Sequence, residues 1–376
     1  MTGVRYRKRA GGPAAAEAFL WIAEDLLDAG YADRERRFRP SPGPLPEERV
    51  RELLARALAE RGHRPELAEA LLERLFEEGF LAREGTAGPG ERGLLLGPKG
   101  ERLLGARYLD RLLGARTLPG RAGLGRHPST ELAPGVEASG ETRSYRPGEP
   151  LALDAAETLR RLLPRPLAEL GEEHLVQSLA EAGQSMATAL LLDCSHSMVL
   201  YDKDRFTPAK KVALALAHLI RTRFPGDRLK VFCFGDRAEE VPPAKLALLS
   251  VGPWHTNTAE ALTLAYRFLK RSPEPQKQAI LITDGKPSAL TLPNGSVYKN
   301  AWGLDERIVA ATLKEAVRLR RLGASLHVFM LADHPELVAF VRRLVAAGRG
   351  RAILTDPEAL GRHVLLDFLR RHPQMA

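Results

Sequence analysis

From residue 185 to residue 376 the chain alternates short, continuous apolar runs with stretches of helical period, and this pattern restricts its fold more than any other feature. The apolar runs fall at 187–193, 229–234, 279–283, 326–331 and 351–354, with Leu190-Leu191-Leu192 the clearest. Between them, the stretches 207–220, 257–269, 305–322, 335–347 and 357–371 read as helices; Val212, Leu216, Leu219 and Ile220, for example, fall on one helical face. A strand that is apolar at consecutive positions is buried on both sides. Strands of that kind separated by helices predict a parallel sheet covered on both faces. Thr207 followed by Pro208 suits a helix start, and Gly323 suits a helix end. The expected fold is α/β, doubly wound and mostly parallel, with ligands bound at the carboxyl ends of the strands.

A chain of 376 residues suggests two domains. The composition shifts twice, dividing it into a mainly helical region over 1–115, a Gly/Pro/Arg-rich connecting segment with helices over 116–184, and the α/β region over 185–376. In the first region Leu67, Leu71, Leu72, Leu75 and Phe76 fall at helical spacing, and Gly79-Phe80-Leu81, Leu94-Leu95-Leu96 and a further helix after Pro98 follow. That order resembles a winged-helix module, whose helix before the wing would enter a DNA groove. Here that helix carries Glu66, Glu69, Glu73, Glu77 and Glu78 against Arg74 alone. Phosphate contacts need positive charge, so the pattern argues against nucleic acid and for a protein-docking or structural role. The net charge of +9 over the whole chain permits an acidic protein, a nucleic acid or an anionic membrane as partner and does not choose among them.

Three polar motifs sit where the strands are expected to end. They are Asp193-Cys194-Ser195-His196-Ser197, His255-Thr256-Asn257 and Thr283-Asp284-Gly285. Each alone has an ordinary explanation: a turn after a strand, a helix cap with Glu260 completing a capping box, and an Asp-Gly turn. Together, in order and at three strand ends, they offer two carboxylates and three hydroxyls, all oxygen. That donor set suits a small, hard divalent cation completed by water, not the nitrogen and sulfur preferences of zinc.

Asp-x-Ser-x-Ser, then Thr, then Asp-Gly on an alternating α/β pattern resembles the metal-ion-dependent adhesion site of the von Willebrand factor A family, over residues 185–372. The resemblance implies that Ser195, Ser197 and Thr256 ligate a metal through their hydroxyls, and that Asp193 and Asp284 bind it directly or through water. The implied ion is Mg²⁺, with Mn²⁺ or Ca²⁺ as alternatives, and its open position takes an Asp or Glu of a partner protein. Relatives often carry Gly where this chain has His255. His196, Trp254, His255 and Lys286 border the motifs and are the expected partner contacts.

The connecting segment contains Arg126 and the run Arg143-Ser144-Tyr145-Arg146-Pro147-Gly148-Glu149. The run resembles the Tyr-x-x-Gly-Asp/Glu element preceding the A-type domain in bacterial proteins that work with MoxR-type AAA+ ATPases, and in chelatase-D-like proteins. The resemblance implies a metal-dependent adaptor for an AAA+ ATPase, with Arg126, Arg143, Tyr145 and Arg146 as further partner contacts. A D-type accessory subunit of a magnesium or cobalt chelatase and a winged-helix DNA-binding regulator are the alternative roles.

No nucleophile–base pair or phosphate loop stands out, so the expectation is a protein that is not an enzyme and has no catalytic residues. Cys194 should point into the core by strand alternation, and Ser195 lacks the Gly-x-Ser-x-Gly elbow. The two cysteines, Cys194 and Cys233, lie in apolar runs and read as reduced, buried thiols. The basic start is followed by no cleavable apolar core, and no apolar run reaches the ~18 residues of a membrane span. The expected location is the cytoplasm.

Overall fold

The computed structural model describes residues 13–27, 45–88, 91–113, 132–134, 142–144, 158, 160, 175–181, 185–199, 204–252, 254–300 and 302–370. The amino-terminal region is built from α1 (Ala15–Leu27), β1 (Leu45–Pro46), α2 (Glu47–Glu60), α3 (Ala68–Glu77), β2 (Leu81–Gly88), β3 (Glu91–Leu96) and α4 (Pro98–Leu113). Its three strands form an antiparallel sheet in the order β1-β3-β2. Helix α3 buries Leu71, Leu72 and Leu75 inward, while Glu66, Glu69 and Glu77 are exposed. Part of this acidity is neutralised within the region, Glu69 by Arg51 and Glu73 by Arg83, each at 2.5 Å. Gly79 turns the chain out of α3 at φ 77°, where a side chain would be strained.

Besides the helical residues Thr158 and Arg160, the connecting segment holds three short strands. They are β4 (Leu132–Pro134), β5 (Thr142–Ser144) and β6 (Val176–Glu181), paired antiparallel in the order β4-β6-β5. Backbone pairing across some 40 residues of sequence leaves no periodic trace in strands this short.

The carboxy-terminal region is a six-stranded sheet in the order β14-β13-β10-β7-β8-β9. The strands are β7 (Met186–Asp193), β8 (Arg228–Phe234), β9 (Ala238–Val241), β10 (Gln276–Thr283), β13 (Ser325–Met330) and β14 (Arg351–Leu354), and all pairs but the antiparallel β8–β9 are parallel. A small hairpin, β11 (Ala289–Thr291) and β12 (Val297–Lys299), stands outside it. The helices are α5 (Phe206–Arg223), α6 (Thr258–Arg271), α7 (Glu306–Arg321), α8 (Pro335–Gly348) and α9 (Leu360–Leu369). All eight residues of β7 are buried. Leu190 and Leu192 pack toward α5 and α9, whereas Ala187, Ala189 and Leu191 pack toward α6, α7 and α8. Helices on both faces remove both sets of side chains from water, which is why β7 is apolar without alternation.

Two boundaries differ from expectation. Helix α5 begins at Phe206, and its first amides are taken by Asp204, whose Oδ1 accepts from Phe206 and Thr207 N–H at 2.9 Å each. Thr207 therefore lies inside the helix and is not its cap. The helix expected from 357 starts only at Leu360.

The amino-terminal region and the sheet share one hydrophobic cluster, because α4 lies along α5. A Cβ on Gly105 of α4 would stand 2.5 Å from the Cβ of His218, so only glycine allows this approach. His218 is thus a packing residue, with its imidazole held below its usual pKa by burial and by Arg221. The seam is pinned by Lys210 of α5, 2% exposed, whose Nζ donates to the carbonyls of Leu27, Ala247 and Leu249. Lys211–Glu24 and Arg221–Glu101 add ion pairs at the edges. Among the described residues no helix is long and apolar enough to cross a membrane.

Candidate functional site

The three sequence motifs converge at the carboxyl ends of β7 and β10 and the start of α6. Asp193 is the last residue of β7 and fully buried. Its Oδ1 accepts from the Ser195 N–H at 2.9 Å and its Oδ2 from the Thr283 hydroxyl at 2.5 Å. The backbone beyond it turns at once, which brings the Ser195 and Ser197 hydroxyls to 3.1 Å of each other. Ser197 Oγ donates to Asp284 Oδ1 at 2.6 Å, which closes a polar chain from one strand end to the next.

Thr256 is 3% exposed and is held by its backbone: its N–H donates to Ser288 Oγ at 3.0 Å, and its carbonyl accepts from the Ser288 and Ala289 amides. Asn257 caps α6, with Oδ1 accepting from the Glu260 N–H at 3.1 Å. The Thr256 loop is also tied to the first motif, since His196 N–H donates to the Trp254 carbonyl and Gly252 N–H to that of Cys194. Hydrogen bonds thus join Asp193, Ser195, Ser197 and Asp284, and Thr256 lies on a loop tied to the first motif through Trp254 and His196.

Two carboxylates share this buried pocket of polarity. Burial and the neighbouring Asp284 charge push the Asp193 carboxyl up to about 7. Burial likewise raises Asp284, against the opposing pull of Ser197 and Arg205. Arg205 is the cation in contact with the pair among the described residues: its Nη1 donates to Asp284 Oδ2 at 3.3 Å and to the Ser197 carbonyl at 3.1 Å. Two desolvated carboxylates with one off-centre guanidinium are short of positive charge. The donors are all oxygens, so the residues fit a hard divalent cation.

The expected partner contacts divide. His196 and His255 are half-buried at the rim. The His255 amide donates to Asp236 Oδ1 at 2.9 Å. Burial works against the Asp236 charge, yet the bonds from His255 and Lys299 hold this carboxyl below its ordinary range. Lys286 is half-buried, and burial lowers its pKa. Trp254, by contrast, is 5% exposed and packs over Gly252 in the core, so its ring offers nothing to a partner. The tryptophan open to solvent is Trp302, 87% exposed, on the loop after β12. That loop is joined to the site through Asn300, whose N–H donates to the Ser288 carbonyl at 2.8 Å. Arg126, Tyr145 and Arg146 lie outside the described residues, and Arg143 is placed by its backbone on β5, paired with Gln177.

Sequence reasoning missed Arg205, Asp236, Ser288 and Trp302. No spacing rule marks Arg205, which reaches Asp284 across 79 residues. Asp236 lies two residues past the end of β8, and the rule that ligands collect at strand ends could have found it.

Residues 186–369 match the family described as "Rv0959-like protein, vWA domain". This part of the chain is a vWA domain. The uncharacterized protein Rv0959 of Mycobacterium tuberculosis (strain ATCC 25618 / H37Rv) is 33% identical over 340 residues, 88% of this chain and 49% of the relative. The uncharacterized protein Mb0984 of Mycobacterium bovis matches equally. The chain spans about half the length of the curated relatives it matches. Among solved structures, the PilB minor pilin from Streptococcus sanguinis has a TM-score of 0.42 at 15% identity, covering 55% of this chain and 67% of the pilin. The von Willebrand factor type A structure from Catenulispora acidiphila has a TM-score of 0.37 at 20% identity, covering 52% and 44%. Beyond the vWA domain the similarity to the mycobacterial proteins extends into the amino-terminal region, since 340 aligned residues exceed the domain.

Proposed function

We propose that the vWA domain is a protein-interaction module that holds a divalent cation, Mg²⁺ foremost, on Asp193, Ser195, Ser197, Thr256 and Asp284, and through it captures a carboxylate of a partner protein. The observation that carries this reading is the pair of buried carboxylates joined through Ser197 with too little positive charge beside them. A cation relieves their repulsion, and the low-dielectric surroundings strengthen its pull on an incoming Asp or Glu. His196, His255 and Lys286 border these motifs, and Trp302, 87% exposed on the loop tied to Ser288 through Asn300, is a large apolar side chain free to bury against a partner. A MoxR-type AAA+ ATPase is the partner favoured by the Tyr145–Glu149 element. The acidic exposed face of α3 disfavours the DNA-binding alternative.

The test is a pull-down with the full chain from lysate of its own source, in Mg²⁺ and in EDTA, beside Asp193→Ala. Retention of an AAA+ ATPase by wild type only in Mg²⁺ supports the reading. Recovery of a large porphyrin-binding subunit would assign the chain to a chelatase instead. Capture that ignores both EDTA and the substitution would remove the cation from the interface.

A further inference from the structure

One edge of the six-stranded sheet is formed by β14. Strand β14 has β13 as its neighbour on one side and, among the described residues, no strand on the other. A groove of about 500 Å³ runs beside it, lined by β14 itself, by Val338, Val341 and Val345 of α8, and by the end of α9 at Arg370. Helices α8 and α9 belong to opposite faces of the sheet. The groove therefore occupies the place of a seventh strand, roofed on one side and floored on the other.

The backbone groups facing it follow from the pairing. Thr355 N–H donates to the Met330 carbonyl, so Ile353 and Arg351, two and four residues back, also face β13. By the alternation of a parallel ladder, Ala352 and Leu354 turn their N–H and C=O groups to the open edge. Leu354 is 47% exposed there.

The exposed charges that line the groove have one sign. Arg342, Arg351 and Arg370 line it, and all three are exposed with no ion-pair partner among the described residues. The lining carboxylate, Asp367, is 6% exposed and turned to His327 at 3.8 Å. Unpaired arginines around an apolar slot beside open main-chain donors and acceptors match one class of partner.

We infer that β14 is a docking edge for an extended acidic peptide segment of a partner protein, which adds as a strand between α8 and α9. Its main chain pairs with Ala352 and Leu354, its apolar side chains enter the slot toward Val338 and Val341, and its carboxylates meet Arg342, Arg351 and Arg370. This site is separate from the cation-holding loops and does not depend on them.

The test uses a fluorescein-labelled peptide alternating Glu and Val over eight residues, added to the full chain in EDTA and followed by fluorescence polarisation. Binding is expected, with selective slowing of hydrogen exchange at Ala352 and Leu354. A Lys/Val peptide, a peptide with proline at alternate positions and the Arg351→Glu/Arg370→Glu double variant are each expected to bind at least about tenfold more weakly. Both arginines are exposed, so their substitution leaves the fold intact, checked by circular dichroism. Absence of binding, or binding that persists in the double variant, would overturn the proposal, and the arginines would then merely guard the edge against self-association. Binding that requires Mg²⁺ and fails in Asp193→Ala would move the acidic peptide to the cation-holding loops and overturn it too.

Discussion

Ser197 on the loop after β7 donates its hydroxyl to Asp284 at the end of β10, 2.6 Å away across 87 residues of sequence. This bond links the two carboxylate-bearing strand ends of the site.

In EDTA, the stability of the protein should fall as pH rises from about 4 to about 7. The folded-state pKa of Asp193 is raised to about 7 from 3.8, so the folded protein keeps a proton that the unfolded chain has released across this window. Its stabilising contribution is complete below the unfolded value and lost as pH climbs through the folded one, with a slope of at most about 1.4 kcal/mol per pH unit for one such proton. Thermal melts at pH 5 and pH 7.5 measure it. Asp193→Asn should flatten the dependence, and Mg²⁺ at pH 7.5 should raise the wild-type Tm but not that of Asp193→Ala.

Arg205→Ala should lower the Tm in EDTA by more than it does in saturating Mg²⁺. Removing the guanidinium leaves Asp284 with no cation in contact among the described residues, and a bound metal restores the missing charge. Equal deficits under both conditions would show that Arg205 serves packing alone.

Gly105→Ala should destabilise the chain by about 1–3 kcal/mol, because its Cβ would meet His218 at 2.5 Å and the Leu214 carbonyl at 3.0 Å. On an exposed helix the same change would stabilise by about 1 kcal/mol, so the sign in a urea titration decides whether α4 and α5 pack this closely in solution.

Lys210→Met should cost about 2–4 kcal/mol, since the carbonyls of Leu27, Ala247 and Leu249 lose a shared charged donor in a buried setting. The loss should show as a lower denaturation midpoint and as faster hydrogen exchange at the end of α1.

Cys194 and Cys233 should resist a thiol reagent in the native state and react only on unfolding. Both are fully buried, and burial together with the neighbouring Cys233 keeps the Cys194 thiol well above its ordinary pKa. Labelling with and without denaturant reads this directly.

The sequence by itself determined the parallel sheet and which residues end its strands. Consecutive apolar residues such as Leu190-Leu191-Leu192 have one stable solution, burial on both faces, and Asp193 and Asp284 then fall at the rim by counting along the strand. It also determined the inward turn of Cys194, because alternation is a local property. Tertiary structure decided what depends on pairing between distant segments: the short sheet β4-β6-β5, the reach of Arg205 to Asp284, and the docking of α4 on α5 at Gly105. It also decided that Trp254 enters the core while Trp302 faces solvent, since a tryptophan in a loop carries no period and only the neighbours brought to it, here Gly252, fix its side. Local backbone geometry writes a repeat into the sequence; contacts between segments far apart in the chain write none.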